Sequence, residues 1–495
     1  MKAVKVAEMR KLESRAIAAG ISGFALMERA GTGAAGLIES EFHRRNARRV
    51  AVVTGKGNNA GDGFVVAAAL GVPTVVFAAA PVEALRGDAA AHAARLPAAV
   101  PVCGGAPEFQ PGDLIVDALL GTGFTGGVRE PLAGFIAAVN ASGCPVISLD
   151  LPSGLDGDSG AAGEIAVRAE LTITFGLPKA GLFRGRGPEL AGPVRVVPIG
   201  IPAGLEDEAA AEFEVFTPAD GRAMLPRPAF DAHKNTRGRL LVLAGSAAYS
   251  GAAALTTRAA FAGGAGMVHL ATPALPFAAL PAALIVHRVA GNAAGEFDLA
   301  GWRELKPQLA KIDAVAAGPG WGGGADLSEV VAALLATGLP LALDADALNA
   351  VARRPELWCG RDGVVITPHL GEAARLFAAL GETFPEDRAE AARKLAARLG
   401  VVVVLKGPQS VVAAPDGRFS LNTSGTAALA VAGSGDVLTG LLGALLAERR
   451  DAFDAARLAV LLHGLAGEAS PRRGLLADEL PERIRTALAE VSPVC

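Results

Sequence analysis

Two stretches of this 495-residue chain place glycines and carboxylates in patterns suited to phosphate chemistry. In AGSGDVLTGLLGALLA, Ala432 to Ala447, Gly433, Ser434 and Gly435 open a helical pattern whose first turn holds Asp436. Free N–H groups at the positive end of a helix dipole stabilise a moving phosphoryl, and a carboxylate among them can accept the proton of an attacking hydroxyl. The spacing predicts a phosphoryl-transfer site with Asp436 as base. Nearer the start, GKGNNAGDG runs from Gly55 to Gly63, between the apolar run RVAVVT and the helical pattern FVVAAAL. Its glycines let backbone N–H groups approach a phosphate, while Asn58, Asn59 and Asp62 add side-chain polarity.

Other loops continue the theme. After LIVD, which ends at Asp117, comes a second glycine-rich loop of Gly121, Thr122, Gly123, Phe124, Thr125, Gly126 and Gly127. After VISL come Asp150 and then LPSG with Ser153. Tight turns and helix caps use the same residue types; convergence of several such loops on one sheet edge is what points to a phosphate-bearing ligand. Asp117, Asp150, Asn59 and Ser153 offer only oxygen, which suits a hard cation such as K+ or Mg2+ better than zinc. In the second half KGPQS (Lys406, Gly407, Pro408, Gln409, Ser410), GPGWGGG from Gly318, DADALN from Asp344 and TPHLGE from Thr367 each follow an apolar run. Lys406 could neutralise phosphate charge or simply be solvated, and His369 is read as touching substrate rather than as catalytic.

The elements that must position these loops are short apolar runs rich in Val, Ile and Leu. Arg49 to Thr54, Leu114 to Asp117, Val146 to Asp150 and Leu171 to Phe175 are continuous rather than alternating, as in strands covered on both faces. Alternation with helical patterns predicts a Rossmann-like, doubly wound α/β domain over residues 1–212. Strand-like runs thin out after Ile201, and an acidic, Pro-rich stretch without periodicity marks the junction. The alternation resumes at Arg239 to Ala244, Ala314 to Ala317, Leu339 to Asp344, Val364 to Thr367 and Val401 to Lys406, giving a second α/β domain over 213–495. The two halves share no motif in common order.

Composition bounds the partners. Hydrophobic residues make up 51% and charged residues 19%, with a net charge of −4 and no long basic block, so nucleic acid and anionic membrane surfaces are not expected partners. Cys103, Cys144, Cys359 and Cys495 are far apart, which predicts neither a zinc site nor a redox pair. The charged opening MKAVKVAEMRKLESRAI lacks the apolar core of a signal peptide, and we expect a cytoplasmic protein.

The opening MRKLESRAIAAGISGFALMERAG, followed in order by TGKGNNAGDG, VDALLGTGFTG and SLDLPSGLDGDSG, resembles the NAD(P)H-hydrate epimerases. The second half resembles the ribokinase-like superfamily and, within it, the ADP-dependent NAD(P)H-hydrate dehydratases; together they resemble the fused NAD(P)H-hydrate repair enzymes. The first resemblance implies that Asn58, Asn59, Ala60, Gly61 and Asp62, with Gly121 to Gly127, hold the dinucleotide hydrate. It also implies that Asn59, Asp117 and Ser153 ligate K+ and that Asp150 faces the damaged ring. Ala60 stands where the family usually has glycine, and its methyl is expected to narrow the loop. The second resemblance implies that KGPQS and Gly435 contact the adenine nucleotide, with Mg2+ as a cofactor. Ala252, Gly320, His369 and Asp436 would then contact the hydrate.

The implied activity has two steps. The first domain inverts the hydroxyl-bearing carbon of NADH or NADPH hydrate, with Asp150, or failing that Asp62, relaying the proton. The second dehydrates the S form: the hydroxyl attacks the terminal phosphoryl of ADP, and phosphate then leaves. Small molecules are the expected partners of a homo-oligomeric protein. The rival reading is a small-molecule kinase joined to a regulatory dinucleotide-binding domain, because fold alone does not separate the two. A first half that binds protein or RNA is a third reading, opposed by the joint presence of Asn59, Asp117, Asp150 and Ser153.

Overall fold

The apolar runs become the central strands of two sheets. The computed structural model describes every residue except 125, 226–229, 277, 472 and 493–495. Its contacts divide into two units, Lys2–Glu214 and Val215–Cys495, the latter with Met1.

In the first unit a short strand β1 (Lys2–Ala3) pairs antiparallel with Phe213 and Glu214 of β9 (Phe213–Phe216). The main sheet holds β2 (Arg49–Thr54), β3 (Thr74–Ala78), β4 (Val102–Gly104), β5 (Asp113–Ala118), β6 (Val146–Leu149), β7 (Leu171–Phe175) and β8 (Val194–Val197). All pairs are parallel, in the order β4-β3-β2-β5-β6-β7-β8. Val50, Val52, Leu114 and Val116 pack into one core layer, while Ala51, Val53 and Ile115 pack into another. Both faces are therefore covered, which is why the runs are continuous; burying each Val, Leu or Ile contributes about 1.5–3 kcal/mol. The strand order reverses direction between β2 and β5, and such a reversal opens a crevice at the strands' carboxyl ends. The loops after β2 and β5 are the two glycine-rich ones.

The second unit repeats the device with different residues. Its sheet contains β10 (Arg239–Leu243), β11 (Met267–Thr272), β12 (Ile285–Arg288), β13 (Ala314–Ala317), β14 (Leu341–Leu343), β15 (Val364–Ile366), β16 (Val402–Leu405), β17 (Val411–Ala413) and β18 (Phe419–Asn422). The run β12-β11-β10-β13-β14-β15-β16 is parallel, and β17 and β18 extend it antiparallel. Here the reversal falls between β10 and β13, ahead of GPGWGGG. The stretch read as lacking periodicity contains β9, whose Phe213, Val215 and Phe216 are buried. Among the described residues no helix is long and apolar enough to cross a membrane.

Candidate active sites

In the first unit, the helix after β2 starts earlier than its composition suggests. It runs Asn58–Ala69, so the segment NNAGDG is two helical turns rather than loop. Small residues there allow close packing: a Cβ on Gly61 would lie 2.5 Å from Met27 Sδ, and one on Gly63 would lie 2.8 Å from Ala118 Cβ. The Ala60 methyl is fully buried in the core, so the expected narrowing of a ligand loop is corrected. What faces the crevice are the polar neighbours.

Asn59 Nδ2 donates to Leu120 O (2.7 Å) and Leu149 O (3.1 Å), which leaves its Oδ1 buried with no partner. Ser153 joins at the same residue, its Oγ accepting from Leu120 N at 2.8 Å and donating to Asp117 Oδ1 at 2.6 Å. Asp117 is wholly buried and also accepts from Ser148 Oγ, Ser153 N and Leu119 N. Burial pushes its carboxyl up, and these hydrogen bonds pull against that. Asn59, Asp117 and Ser153 are thus brought together. An unpartnered buried oxygen beside a buried carboxylate fits a hard, weakly hydrated cation.

Asp150 follows β6 with φ of 64°, and Lys179 Nζ meets its Oδ1 at 2.5 Å. Lys179 is 2% exposed, a buried ammonium that nothing in its sequence context signals. Asp62, also buried, has its carboxyl held well above the usual range by burial and by the nearby charges of Asp150 and Glu13. Glu13, from the helix Val6–Ala18, is pushed up for the same first reason, desolvation, with Lys179 opposing. Of the second loop, Phe124 N donates to Gly121 O in a tight turn, and Arg10 donates to Thr122 O. Gly126 has φ of 86°. Thr125 lies outside the described residues.

In the second unit the helix Ser434–Ala447 begins where the motif predicts, with Gly433 in the left-handed region as its cap and Asp436 in the first turn. Lys406, just after β16, pairs with Asp344 Oδ1 at 2.6 Å, while Thr439 Oγ1 donates to Asp344 Oδ2 at 3.0 Å. A Cβ on Gly435 would lie 3.4 Å from both Asp344 Oδ2 and Lys406 Nζ, so that glycine keeps the cleft open. Burial, and then the charge of Asp344, push Asp436 to about 7. Glu372 reaches about 7 for the same leading reason, and its Oε2 lies 4.0 Å from Lys406.

His369 has work that the sequence did not show. Its Nδ1 accepts from Gly371 N and Glu372 N, capping the helix Leu370–Ala379, while Glu372 returns a bond to His369 N. Burial and the nearby Lys406 hold the ring below its ordinary value, so it is neutral near pH 7. Its imidazole stays half-exposed beside the Lys406 group. Gly320 has φ of 64°, and a Cβ there would lie 2.9 Å from the Cβ of Ala252, which places those two residues in contact range. The KGPQS turn is held by Arg388, whose guanidinium donates to Pro408 O and Leu405 O. Gly407 and Gln409 have positive φ there, and Ser410 Oγ donates back to Gly407 O. Among the described residues no group of three His, Cys, Asp or Glu could hold a metal ion.

A family model described as NAD(P)H-hydrate dehydratase matches residues 240–488, and one described as YjeF-related protein N-terminus matches residues 23–181. A curated relative from Moorella thermoacetica, the bifunctional NAD(P)H-hydrate repair enzyme Nnr, is 36% identical over 99% of this chain and 98% of its own. The Gloeobacter violaceus protein of the same name is 40% identical over 94% and 92%. Among solved structures, the ADP/ATP-dependent NAD(P)H-hydrate dehydratase of Bacillus subtilis, co-crystallized with ATP and Mg2+, is 30% identical. It covers 57% of this chain and all of its own, with a TM-score of 0.46. With full-length relatives of one name and a matching family model on each half, the chain belongs to the bifunctional NAD(P)H-hydrate repair enzymes, an epimerase unit followed by a dehydratase unit.

Proposed function

We propose that the chain returns hydrated NADH and NADPH to use in two steps. The first unit interconverts the R and S hydrates, and the second dehydrates the S form with ADP, giving AMP and phosphate. The observation that carries this reading is the Asp436 centre, a half-buried carboxylate poised near 7 in the first turn of a glycine-capped helix, with a lysine ammonium beside it. A base that must accept a proton at neutral pH works best there.

In the dehydratase step Asp436 takes the proton of the ring hydroxyl as that oxygen attacks the terminal phosphorus of ADP. The bond to AMP breaks and a phosphate ester forms. Phosphate then leaves the ring carbon, and loss of a proton from the adjacent carbon restores the double bond. Phosphorylation thus replaces hydroxide, a poor leaving group, with a good one. Ala252, Gly320 and His369 are the proposed hydrate contacts, and Gly435 with Lys406 to Ser410 the nucleotide contacts. With no three-carboxylate cluster among the described residues, a Mg2+ ion would be held mainly through nucleotide phosphates.

In the epimerase step the hydroxyl leaves with help from the ring nitrogen, and water returns on the opposite face. Asn58 to Asp62 and the Gly121 to Gly127 loop are the proposed cradle for the dinucleotide, and Asp150 stands beside the ring. Asn59, Asp117 and Ser153 would hold K+, which would offset the buried Asp117 charge and stiffen the crevice.

The test supplies mixed hydrate epimers with ADP, with ATP or with no nucleotide, and follows recovery of reduced-nicotinamide absorbance. Complete recovery with a nucleotide supports both activities. A stop half-way removes the epimerase, and a stable phosphorylated alcohol in place of AMP and phosphate makes the second unit a kinase.

A further inference from the structure

Asp150 holds a left-handed backbone, φ 64°, a strained conformation for a non-glycine residue. Its two carboxylate oxygens live in different surroundings. Oδ1 takes the 2.5 Å ion pair from Lys179 Nζ and a 3.3 Å hydrogen bond from Thr174 Oγ1. Oδ2 accepts no hydrogen bond from the described residues and stands against the second glycine-rich loop, 3.5 Å from where a Gly121 Cβ would lie. Lys179 is fully committed as well: it donates to Asp150 Oδ1, to Thr174 Oγ1 at 3.2 Å and to Phe175 O at 3.0 Å. An ammonium has three N–H donors, so none remains for a ligand. With 2% exposure, it has no route to solvent either.

We infer that Lys179 is a positioning residue of the epimerase site, locking Asp150 through Oδ1 so that Oδ2, facing the Gly121 loop, is the oxygen that exchanges protons at the hydrated carbon. The inference rests on the epimerase reading above. The carbon–oxygen bond breaks as the nitrogen lone pair forms a double bond to the ring carbon, and the departing hydroxyl takes a proton from the Asp62 carboxyl and leaves as water. A second water adds on the other face: its lone pair forms the new carbon–oxygen bond as the carbon–nitrogen π electrons return to nitrogen, and its proton passes to Oδ2. One proton enters and one leaves, and the next inversion, run in the opposite sense, resets the two carboxyls. Lys179 itself touches no reacting atom.

A buried ion pair can also be merely structural, and breaking one by removing a single partner strongly destabilises the fold. The experiment therefore separates stability from chemistry, using the full-length protein and the enzyme-dependent rate of epimer exchange. In Lys179→Met we expect kcat to fall on the order of 100-fold with little change in KM. The acidic limb of kcat/KM should move to higher pH by about one unit or more. Glu13 and Asp62 face the same ammonium and would move with it. Thr174→Val, whose lost hydroxyl hydrogen-bonds Asp150 and Lys179, is the second variant: it should fold and shift the limb the same way by less. A Lys179→Met, Asp150→Asn double variant should regain thermal stability without regaining activity. An unshifted limb in folded Lys179→Met, or in Thr174→Val if the first does not fold, overturns the assignment, as does activity regained in the double variant. A wild-type protein that fails to exchange the epimers overturns the epimerase reading itself, and the role of Lys179 with it.

Discussion

Each unit sets one lysine–aspartate pair at the carboxyl edge of its sheet, yet the two pairs hold different carboxylates. In the first, Lys179 grips Asp150, the acid proposed to stand beside the ring. In the second, Lys406 grips Asp344, Thr439 occupies the other Asp344 oxygen, and Asp436 has no ion-pair partner among the described residues. An ammonium on the acid itself fixes its orientation; an ammonium on a neighbour leaves the acid open to desolvation and to like charge. Asp436 is pushed to about 7 for those two reasons, and a proton acceptor for a neutral hydroxyl gains most from that value. The same two residue types, rearranged by one partner, serve an orienting role in one sheet and a tuning role in the other.

The largest expected effect tests whether Asp436 is the base. Asp436→Asn keeps the shape and removes the proton acceptor, so dehydration should fall by roughly 1,000-fold or more, while epimer exchange by the same protein persists. Dehydration within tenfold of wild type would end the contrast between the two sites. Next comes Lys406→Met. Lys406 lowers Asp436, so its loss raises that acid further, and at pH 7 the rate should drop on the order of 100-fold. Part of the loss should return as pH rises to 9, because a larger share of Asp436 then ionises. A loss equal at every pH would assign Lys406 to the phosphate alone.

That contrast was only half legible in the sequence. Arg49–Thr54, Leu171–Phe175 and Ala314–Ala317 are strands over the very residues their apolar runs span, because burial on both faces leaves no polar interruption. Asp150, Asp117 and Asp436 were visible because short polar groups after apolar runs fall at strand ends or in the first turn of a helix. Lys179 was not. It stands in GLPKAG just past a strand, where lysines are usually solvated, and its burial depends on an aspartate 29 positions away. Asp344 and Glu372 lay inside motifs already noted, but their pairing with Lys406 comes from sheet register, which composition does not encode. The short strands β17 and β18 are not legible because three or four residues carry too little periodicity.

The pH profile of the wild-type dehydratase sharpens the comparison by a smaller factor. As the proposed base, Asp436 must be a carboxylate, so kcat/KM should fall below about pH 7, by about tenfold at pH 6, and level off above 8. Glu372 titrates in the same range, and Glu372→Gln separates them: the limb should remain near 7 if it belongs to Asp436. A limb that vanishes in Glu372→Gln transfers the base role to that residue.

The smallest effect concerns stability, and it asks whether a raised carboxyl without a lysine of its own is a cost in the first unit too. Asp62 is buried, its carboxyl is held well above the ordinary range by desolvation, and its side chain accepts no hydrogen bond from the described residues. Below the unfolded value near 4 both states hold the proton and no penalty exists. As pH rises through that value the unfolded chain releases the proton while the folded one keeps it, so the folded state loses stability until pH passes the raised value. Asp62→Asn has no proton to lose. It should stabilise the first unit by roughly 1 kcal/mol at pH 8, a rise of a few degrees in its melting transition, and by nothing measurable at pH 4. Epimer exchange should fall at the same time, since the variant gives no proton to the departing hydroxyl. A gain in stability independent of pH would mean that Asp62 disturbs packing rather than carrying an unfavourable charge, and the first site would then rely on Asp150 alone.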